Sequence, residues 1–298
     1  MAGTRPESWR IVLMTDAGGQ IAGAVQRILA GMGHRVVGIV TSPGPRGRGL
    51  GRHLEVVATA PRSVDVIVSN HPKRWAAMLA PLQPDLIFSA VFPWIIPDDV
   101  IALPRVAAVN LHGGLLPRGR GPNAFGWAFR NGDPEVGLTM HYLDSGLDTG
   151  PVLAQVSVPV GDEDDMETLF PRLVPLAPGL LARAIQRIAA GDPGDIQDES
   201  LATYDGIFEE AYRAIDWSRP AREVHNQARA WMAGLRGSIP GAIGTLDGTP
   251  LRILRTGLVT EEGTGAAPGS VVARDDEGMT VQCGTGRVKV LRSEPVAP

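Results

Sequence analysis

Two short stretches near the start leave this chain little choice of fold. Trp9–Met14 (WRIVLM), apolar but for Arg10, is a run of the kind a buried strand needs. Asp16-Ala-Gly-Gly interrupts it. Ile21–Met32 (IAGAVQRILAGM) then spaces Ile21, Val25, Ile28 and Leu29 along one helical face. Gly33 stops that helix, and Val36–Val40 (VVGIV) is a second apolar run. Strand, helix and strand in close succession predict the opening of a parallel α/β sheet. The first turn carries no G-x-G-x-x-G, so a dinucleotide site is not indicated.

The alternation continues. Ser42–His53 (SPGPRGRGLGRH) reads either as a mobile surface loop or as a substrate-facing arm. Lys73–Leu82 is expected as a helix, Asp85–Ala90 as a strand, Asp98–Leu103 as a short helix and Val106–Asn110 as a strand. Asn123–Phe129 opens a helix, Val136–Tyr142 alternates like a strand, and Val152–Val160 looks like its antiparallel neighbour. One long helix over Met166–Ala190 closes the first domain. Gly191–Glu199 has a linker's composition. From Pro220 a helix is followed by short alternating segments separated by glycines, the spacing of a small β-barrel. The expected organisation is a first domain over 1–190, a linker over 191–209 and a barrel over 210–298.

Composition narrows the function classes. A chain of 298 residues, 44% hydrophobic and 20% charged, can bury two cores. A net charge of -4 argues against a protein that lives on phosphate backbones. The single cysteine, Cys283, rules out an internal disulfide and a cysteine metal cluster, which suits a reducing compartment. No run reaches the ~18 apolar residues of a membrane span, and the start does not read as a signal peptide. A cytoplasmic location is therefore expected. His34, His53, His71, His141 and His225 lack ligand-like spacing, and no metal site is expected.

The chemistry concentrates in VNLHGGLLPRGRGPN, Val109–Asn123. Asn110 and His112 stand at the C-terminal end of a strand, the edge where open α/β sheets bind ligands. Two residues apart on an extended segment, their side chains point to the same side. A second polar cluster, YLDSGLDTGP (Tyr142–Pro151), also follows a strand and carries Asp144 and Asp148. Such a trio suits acyl transfer. His moves a proton near neutral pH, an Asn amide donates to a developing oxyanion, and a buried Asp orients the imidazole. With no Ser or Cys elbow, direct attack by a substrate nucleophile is favoured over a covalent intermediate. The residues alone leave a plainer reading open: a polar pair satisfied inside the fold, and two aspartates that build turns.

NLHGGLLPRGRGP followed by GLTMHYLDSGLDTGPVLAQ strongly resembles the folate-dependent formyltransferases, the family that includes methionyl-tRNA and sugar formyltransferases. IDWSRPAREVHNQARAW and PGSVVARDDEGMTVQCGTGRVKVLRSEP resemble the C-terminal domain of the methionyl-tRNA enzymes. The resemblance implies a Rossmann-like parallel-sheet domain followed by an OB-like β-barrel. It implies catalysis by Asn110, His112 and Asp148, with 10-formyltetrahydrofolate as donor and no metal. Donor contacts would come from Trp94, Ile95 and Ile96, from Gly114, Leu115, Leu116 and Pro117, and from Asp144, Ser145, Gly146 and Leu147. Two departures stand out. Gly114 replaces a serine frequent in the family, and no bulky residue separates Arg118 from Arg120, which is expected to widen the mouth of the site.

The acceptor follows from charge. From Pro220 onward nine Arg and Lys face eight Asp and Glu, close to neutral, whereas tRNA affinity rests on phosphate contacts. The chain also ends at SEPVAP without a basic tail. A small-molecule amine is therefore the expected acceptor, with methionyl-tRNA, or donor hydrolysis, as the alternatives.

Overall fold

A computed structural model describes residues 8–44, 52–233, 241–260 and 265–296. The expected substrate arm falls largely on 45–51, outside the described residues. The elements run β1 (Arg10–Thr15), α1 (Gly19–Gly31), β2 (Arg35–Thr41), α2 (Arg52–Thr59), β3 (Asp65–Val68), α3 (Trp75–Leu79) and β4 (Leu86–Ala90). They continue with α4 (Asp98–Ile101), β5 (Ala107–His112), α5 (Ala124–Asn131), β6 (Glu135–Tyr142), β7 (Val152–Pro159), α6 (Met166–Leu173) and α7 (Ala177–Ala189). Last come α8 (Ala221–Ala233), β8 (Ala242–Leu246), β9 (Thr249–Val259), β10 (Val271–Asp275), β11 (Gly278–Gln282) and β12 (Arg287–Pro295). They fall into two compact units. The first is Met1–Arg120, Gly137–Ser157 and Leu173–Thr203; the second is Gly121–Val136, Val158–Arg172 and Tyr204–Pro298.

The first unit holds a seven-stranded sheet in the order β3-β2-β1-β4-β5-β6-β7. Its first five strands are parallel, and β6 runs antiparallel to β5. Each face is covered, which is why β1 reads as a continuous apolar run: Ile11 and Leu13 enter one core, Val12 and Met14 the other. The first core is closed by Val25 and Leu29 of α1, Val56 of α2, and Leu180, Leu181, Ala184, Ile185 and Ile188 of α7. The second is closed by Trp75 and Leu79 of α3 and Val100 of α4. Each fully buried Leu or Ile stabilises by ~1.5–3 kcal/mol. The strand order switches between β1 and β4, the point at whose C-terminal strand ends open α/β sheets bind ligands.

Two elements were invisible to the hydrophobic pattern. The strand β3 is only four residues and half-buried at the sheet edge, and α2 buries a single residue, Val56. The long helix expected over 166–190 is two helices. Pro171 lies in the last turns of α6, a 3-10 turn spans Val174–Leu176 with Pro175 at its start, and Pro178 occupies the first turn of α7. A proline has no N–H to give the preceding turn, so it is tolerated where a helix starts and interrupts one that would continue.

In the second unit the sheet order is β10-β11-β12-β9-β8, with antiparallel neighbours throughout. The helix α8 lays Ala221, Val224 and Ala228 on its apolar face, against Leu246, Ile253, Val281, Val288 and Val290. Its other face is polar yet buried. Arg229 donates to the carbonyls of Gly161 (2.9 Å) and Asp164 (3.1 Å) and to Asn226 Oδ1 (2.6 Å), and its guanidinium lies over Phe129. Buried polar groups are tolerated when they are paired in this way.

Candidate active site

The ladder between β5 and β6 assembles the site. Asn110 is opposite His141, and His112 is opposite Thr139. Directly opposed residues share a face, as do residues two apart, so all four polar side chains stand together. They continue the face that Ala108 lends to the core under α3 and α4. The turn after β6 closes over them, with Asp148 in the left-handed region at φ 55. Aspartate accepts that conformation better than most residues.

Asp148 is the hub. Its Oδ2 lies 3.6 Å from His112 Nδ1, and its Oδ1 lies 3.6 Å from His141 Nε2 and 3.4 Å from Asn110 Nδ2. These three spacings exceed those of tight hydrogen bonds. His112 is more firmly held on its other side. Its Nε2 lies 2.7 Å from the carbonyl of Gly119. A carbonyl only accepts, so Nε2 carries the proton and the neutral ring presents a bare Nδ1 to Asp148. Gly119 sits at φ 75, a conformation that suits glycine and aims its carbonyl at the ring. The missing bulky residue between Arg118 and Arg120 is thus a backbone requirement of this loop.

Burial pushes the His112 pKa below its ordinary value, and the neighbouring His141 adds to this; Asp148 and the Gly119 carbonyl oppose it without overcoming it. The charge of Asp148 thus raises the His112 pKa, but burial outweighs it. The carboxylate softens the cost of charging a buried ring.

Asn110 also differs from expectation. Its amide nitrogen lies 3.2 Å from His141 Nε2 as well as 3.4 Å from Asp148. His141 Nδ1 donates to the carbonyl of Tyr142 (2.7 Å), which leaves Nε2 as the acceptor in the neutral ring. Both amide hydrogens are therefore engaged, and the longer contact to Asp148 is the one most easily redirected.

The remaining residues singled out in the sequence divide. Gly114 is buried, and its carbonyl accepts from Thr139 Oγ1 (2.6 Å). Leu116 is buried, its carbonyl taken by Gln155 Nε2 (2.7 Å), while Leu115 and Pro117 are half-buried. Trp94 is half-buried and donates to Ser42 Oγ (2.7 Å); Ile96 is buried and Ile95 is 68% exposed. These three follow β4, which pairs beside β5 with Ser89 opposite Asn110. Just before them Val91 is held at φ 51, a strained conformation for a β-branched residue. Asp144 is exposed and builds the turn, accepting from Gly146 N (3.1 Å) and Thr149 Oγ1 (2.7 Å); Ser145, Gly146 and Leu147 are exposed beside it. Arg120 does not stand at a mouth. It is fully buried, its guanidinium fixed to Gln197 and Glu199, and only Arg118 is exposed.

The pattern of the family described as Formyl transferase matches residues 10–185, and that of its C-terminal domain matches 209–296. The chain belongs to the formyl transferase family. The Pseudomonas entomophila methionyl-tRNA formyltransferase is 35% identical over 266 residues, spanning 87% of this chain and 83% of the relative. The Trichlorobacter lovleyi methionyl-tRNA formyltransferase is 32% identical over 284 residues, spanning 93% and 87%. The fold is shared with more distant structures. HypX from Aquifex aeolicus in complex with tetrahydrofolic acid aligns with a TM-score of 0.65 at 20% identity, over 98% of this chain and 45% of that one. An N-formyltransferase from Helicobacter canadensis, in complex with folinic acid and dTDP-3-aminofucose, aligns with a TM-score of 0.68 at 18% identity, over 95% and 99%.

In this formyltransferase the sequence reading overlooked His141, taken for a surface or core histidine. The signal was available in the period-two alternation of Val136–Tyr142, which places His141 on the face of Thr139, but the register against Asn110 is a tertiary fact. Gln197, in the expected linker, was passed over too; its amide donates to the carbonyls of Asp148 (2.9 Å) and Gly150 (2.7 Å). Among the described residues no group of three or more His, Cys, Asp and Glu could hold a metal ion, and no helix is long and apolar enough to cross a membrane.

Proposed function

We propose that the enzyme moves a formyl group from 10-formyltetrahydrofolate to an amine of a small molecule by direct attack, and that Asn110, His112 and Asp148 carry the reaction. The observation that bears the most weight is the pairing of buried His112 with Asp148, with one ring nitrogen pinned to Gly119 and the other bare towards the carboxylate. The surroundings suit a flat, partly apolar donor: the Trp94 indole held by Ser42, buried Ile96, the strained Val91 and the loop of Leu115, Leu116 and Pro117 lie at neighbouring strand ends.

When bound, the donor supplies an activated formyl carbon on N10. The protein's part is electrostatic and proton-handling. His112 Nδ1 takes the proton that the attacking amine must lose, directly or through water, and Asp148 stabilises the imidazolium so formed. Negative charge developing on the formyl oxygen draws the Asn110 amide away from its long contact with Asp148. The same proton, returned from His112, satisfies N10 as its bond to the formyl carbon breaks. Because His112 is neutral at rest, it accepts a proton before it gives one. Asp144 builds the turn that carries Asp148 and takes no part in the transfer.

A small acceptor is supported by the charge of the C-terminal strands. Arg252 pairs with Glu294, Arg274 with Asp247, and Lys289 with Asp275 and Glu277, so much of the positive charge is already matched. Methionyl-tRNA is the second reading, favoured by the names of the relatives at 32–35% identity. Incubation with the formyl donor and either candidate amines or charged initiator tRNA separates the two. The first reading expects a one-formyl mass gain on an amine, with tRNA retention on filters that is weak and lost at modest salt. Efficient formylation of methionyl-tRNA, with none of any free amine, overturns it.

A further inference from the structure

The segment after α7 crosses the first unit and touches both catalytic loops. It is anchored at its start. Asp195 exchanges backbone hydrogen bonds with Val152 (2.8 Å each way), and Arg187 holds Asp192 and Asp195. Two residues on, Gln197 is buried and every arm of its amide is committed. Its nitrogen donates to the carbonyls of Asp148 and Gly150, and its oxygen accepts from Arg120 Nε (3.1 Å) and Nη2 (3.0 Å). The orientation of this amide is dictated by its neighbours, since carbonyls demand donors and a guanidinium demands an acceptor. Glu199 then takes Arg120 with both oxygens, to Nη1 (3.0 Å) and Nη2 (2.6 Å). Finally Thr203 holds the other loop. Its Oγ1 accepts from Gly119 N (2.8 Å), its carbonyl from Arg120 N (3.0 Å), and its own N–H donates to Pro117 O (3.3 Å).

We propose that residues 195–203 form a positioning strap, in which Gln197 and Thr203 place the two partners of His112. Gln197 fixes the backbone of Asp148, the residue at φ 55. Thr203 fixes Gly119, whose carbonyl accepts the hydrogen bond from His112 Nε2–H. Arg120 joins the two halves, so the loop from β5 and the turn from β6 are held at one mutual distance. The strap touches neither donor nor acceptor; it acts through Asp148 and His112, and it rests on the catalytic reading of those two residues. Its need is chemical. The side-chain contacts of Asp148 with His112, His141 and Asn110 are long, 3.4–3.6 Å, so the anchoring of its backbone bears directly on its position relative to Nδ1. A misplacement of about 1 Å in such a pair can cost ~10²-fold in rate.

Gln197→Glu is the sharpest probe. It keeps the volume and strengthens the Arg120 pair, but turns an acceptor towards two carbonyls. Thr203→Val deletes one hydrogen bond at an exposed position, and Thr203→Ser restores it. Steady-state kinetics of the full chain with the formyl donor would be paired with nitrogen NMR of the histidine rings, His112 being assigned by loss of its signals in His112→Ala. The strap expects kcat to fall ~10²-fold in Gln197→Glu and ~10-fold in Thr203→Val. KM for the donor should stay within about threefold, the His112 signals and titration should shift, and Thr203→Ser should recover most of the rate. If His112→Ala is inactive while Gln197→Glu and Thr203→Val keep both wild-type kcat and wild-type His112 signals, the strap is wrong and the catalytic reading stands. If His112→Ala itself turns over normally, the catalytic reading fails and the strap falls with it. Should Gln197→Glu not fold, the Thr203 pair decides alone.

Discussion

Replacing Asp148 with Asn removes a charge and almost nothing else. Asn tolerates the left-handed backbone at φ 55, so the turn should survive. The lost interaction can be sized from the geometry. A carboxylate 3.6 Å from His112 Nδ1 attracts an imidazolium by about 4–5 kcal/mol at an effective dielectric near 20. Desolvation already outweighs this attraction in the resting enzyme, where the His112 pKa is lowered despite Asp148. Without the carboxylate, burial and His141 act against a charged ring with only the Gly119 carbonyl in opposition. If about half to four-fifths of the attraction is realised when the ring carries the proton, the barrier rises by roughly 2–4 kcal/mol and turnover falls ~30–10³-fold. The pH profile supplies a second reading with a definite sign. The acid limb of kcat/KM reports the protonation of free His112. Asp148 raises that pKa, so Asp148→Asn should move the limb to lower pH while lowering the plateau. Stability should hardly change, since Asn keeps the shape of the side chain and the contacts with His112, His141 and Asn110 are long. The assay is formyl transfer at several pH values beside a thermal melt. Turnover within threefold of wild type, or an acid limb that moves upward, contradicts the proposed role; a loss of activity that only tracks a lower Tm favours a structural one.

Three further outcomes follow from particular contacts. Asn110→Ala should lower kcat by ~10²–10³, as loss of an oxyanion donor does, with a modest fall in Tm because His141 Nε2 and Asp148 each lose a donor; near-normal kcat with a lowered Tm would assign Asn110 to structure alone. Asp144→Asn keeps an acceptor for Gly146 and Thr149 at an exposed turn, so turnover should stay within ~10-fold of wild type and the melt should barely move; a loss as deep as that of Asp148→Asn would give Asp144 a share in the chemistry. His225, buried between Thr256 Oγ1 and the Asp162 carbonyl, has its pKa pushed down to about 4 by burial. The unfolded chain takes up that proton near 6.5 and the folded one only near 4, so this stability is whole above pH 6.5 and drains as pH falls to 4. The loss amounts to about 3 kcal/mol. Denaturant melts at pH 7.5 and 4.5 should show it, and His225→Gln should flatten the slope; His34 and His112, also lowered, preserve the remainder.

Much of this protein is local in origin, and local features are legible along a chain. The buried strands β1, β2, β4 and β5 announce themselves because a parallel sheet covered on both faces needs unbroken apolar runs. Asn110 and His112 could be paired by eye because alternate residues on a strand share a side, and Asp148 could be suspected because it follows a strand. The prolines at 171, 175 and 178 were as readable, but the helical period masked them until the break was seen. What the chain could not reveal depends on register and burial. His141 becomes part of the site only because β6 pairs with β5 so that it stands opposite Asn110, and a shift of one residue would have turned it to the other face. The direction of the His112 pKa rests on how completely the fold excludes water, a quantity no residue type encodes. Arg120 looks from its glycine-rich loop like a solvent-facing cation. It is buried because a segment almost 80 positions later brings Gln197 and Glu199 to meet it, and a guanidinium can leave water only where such partners wait.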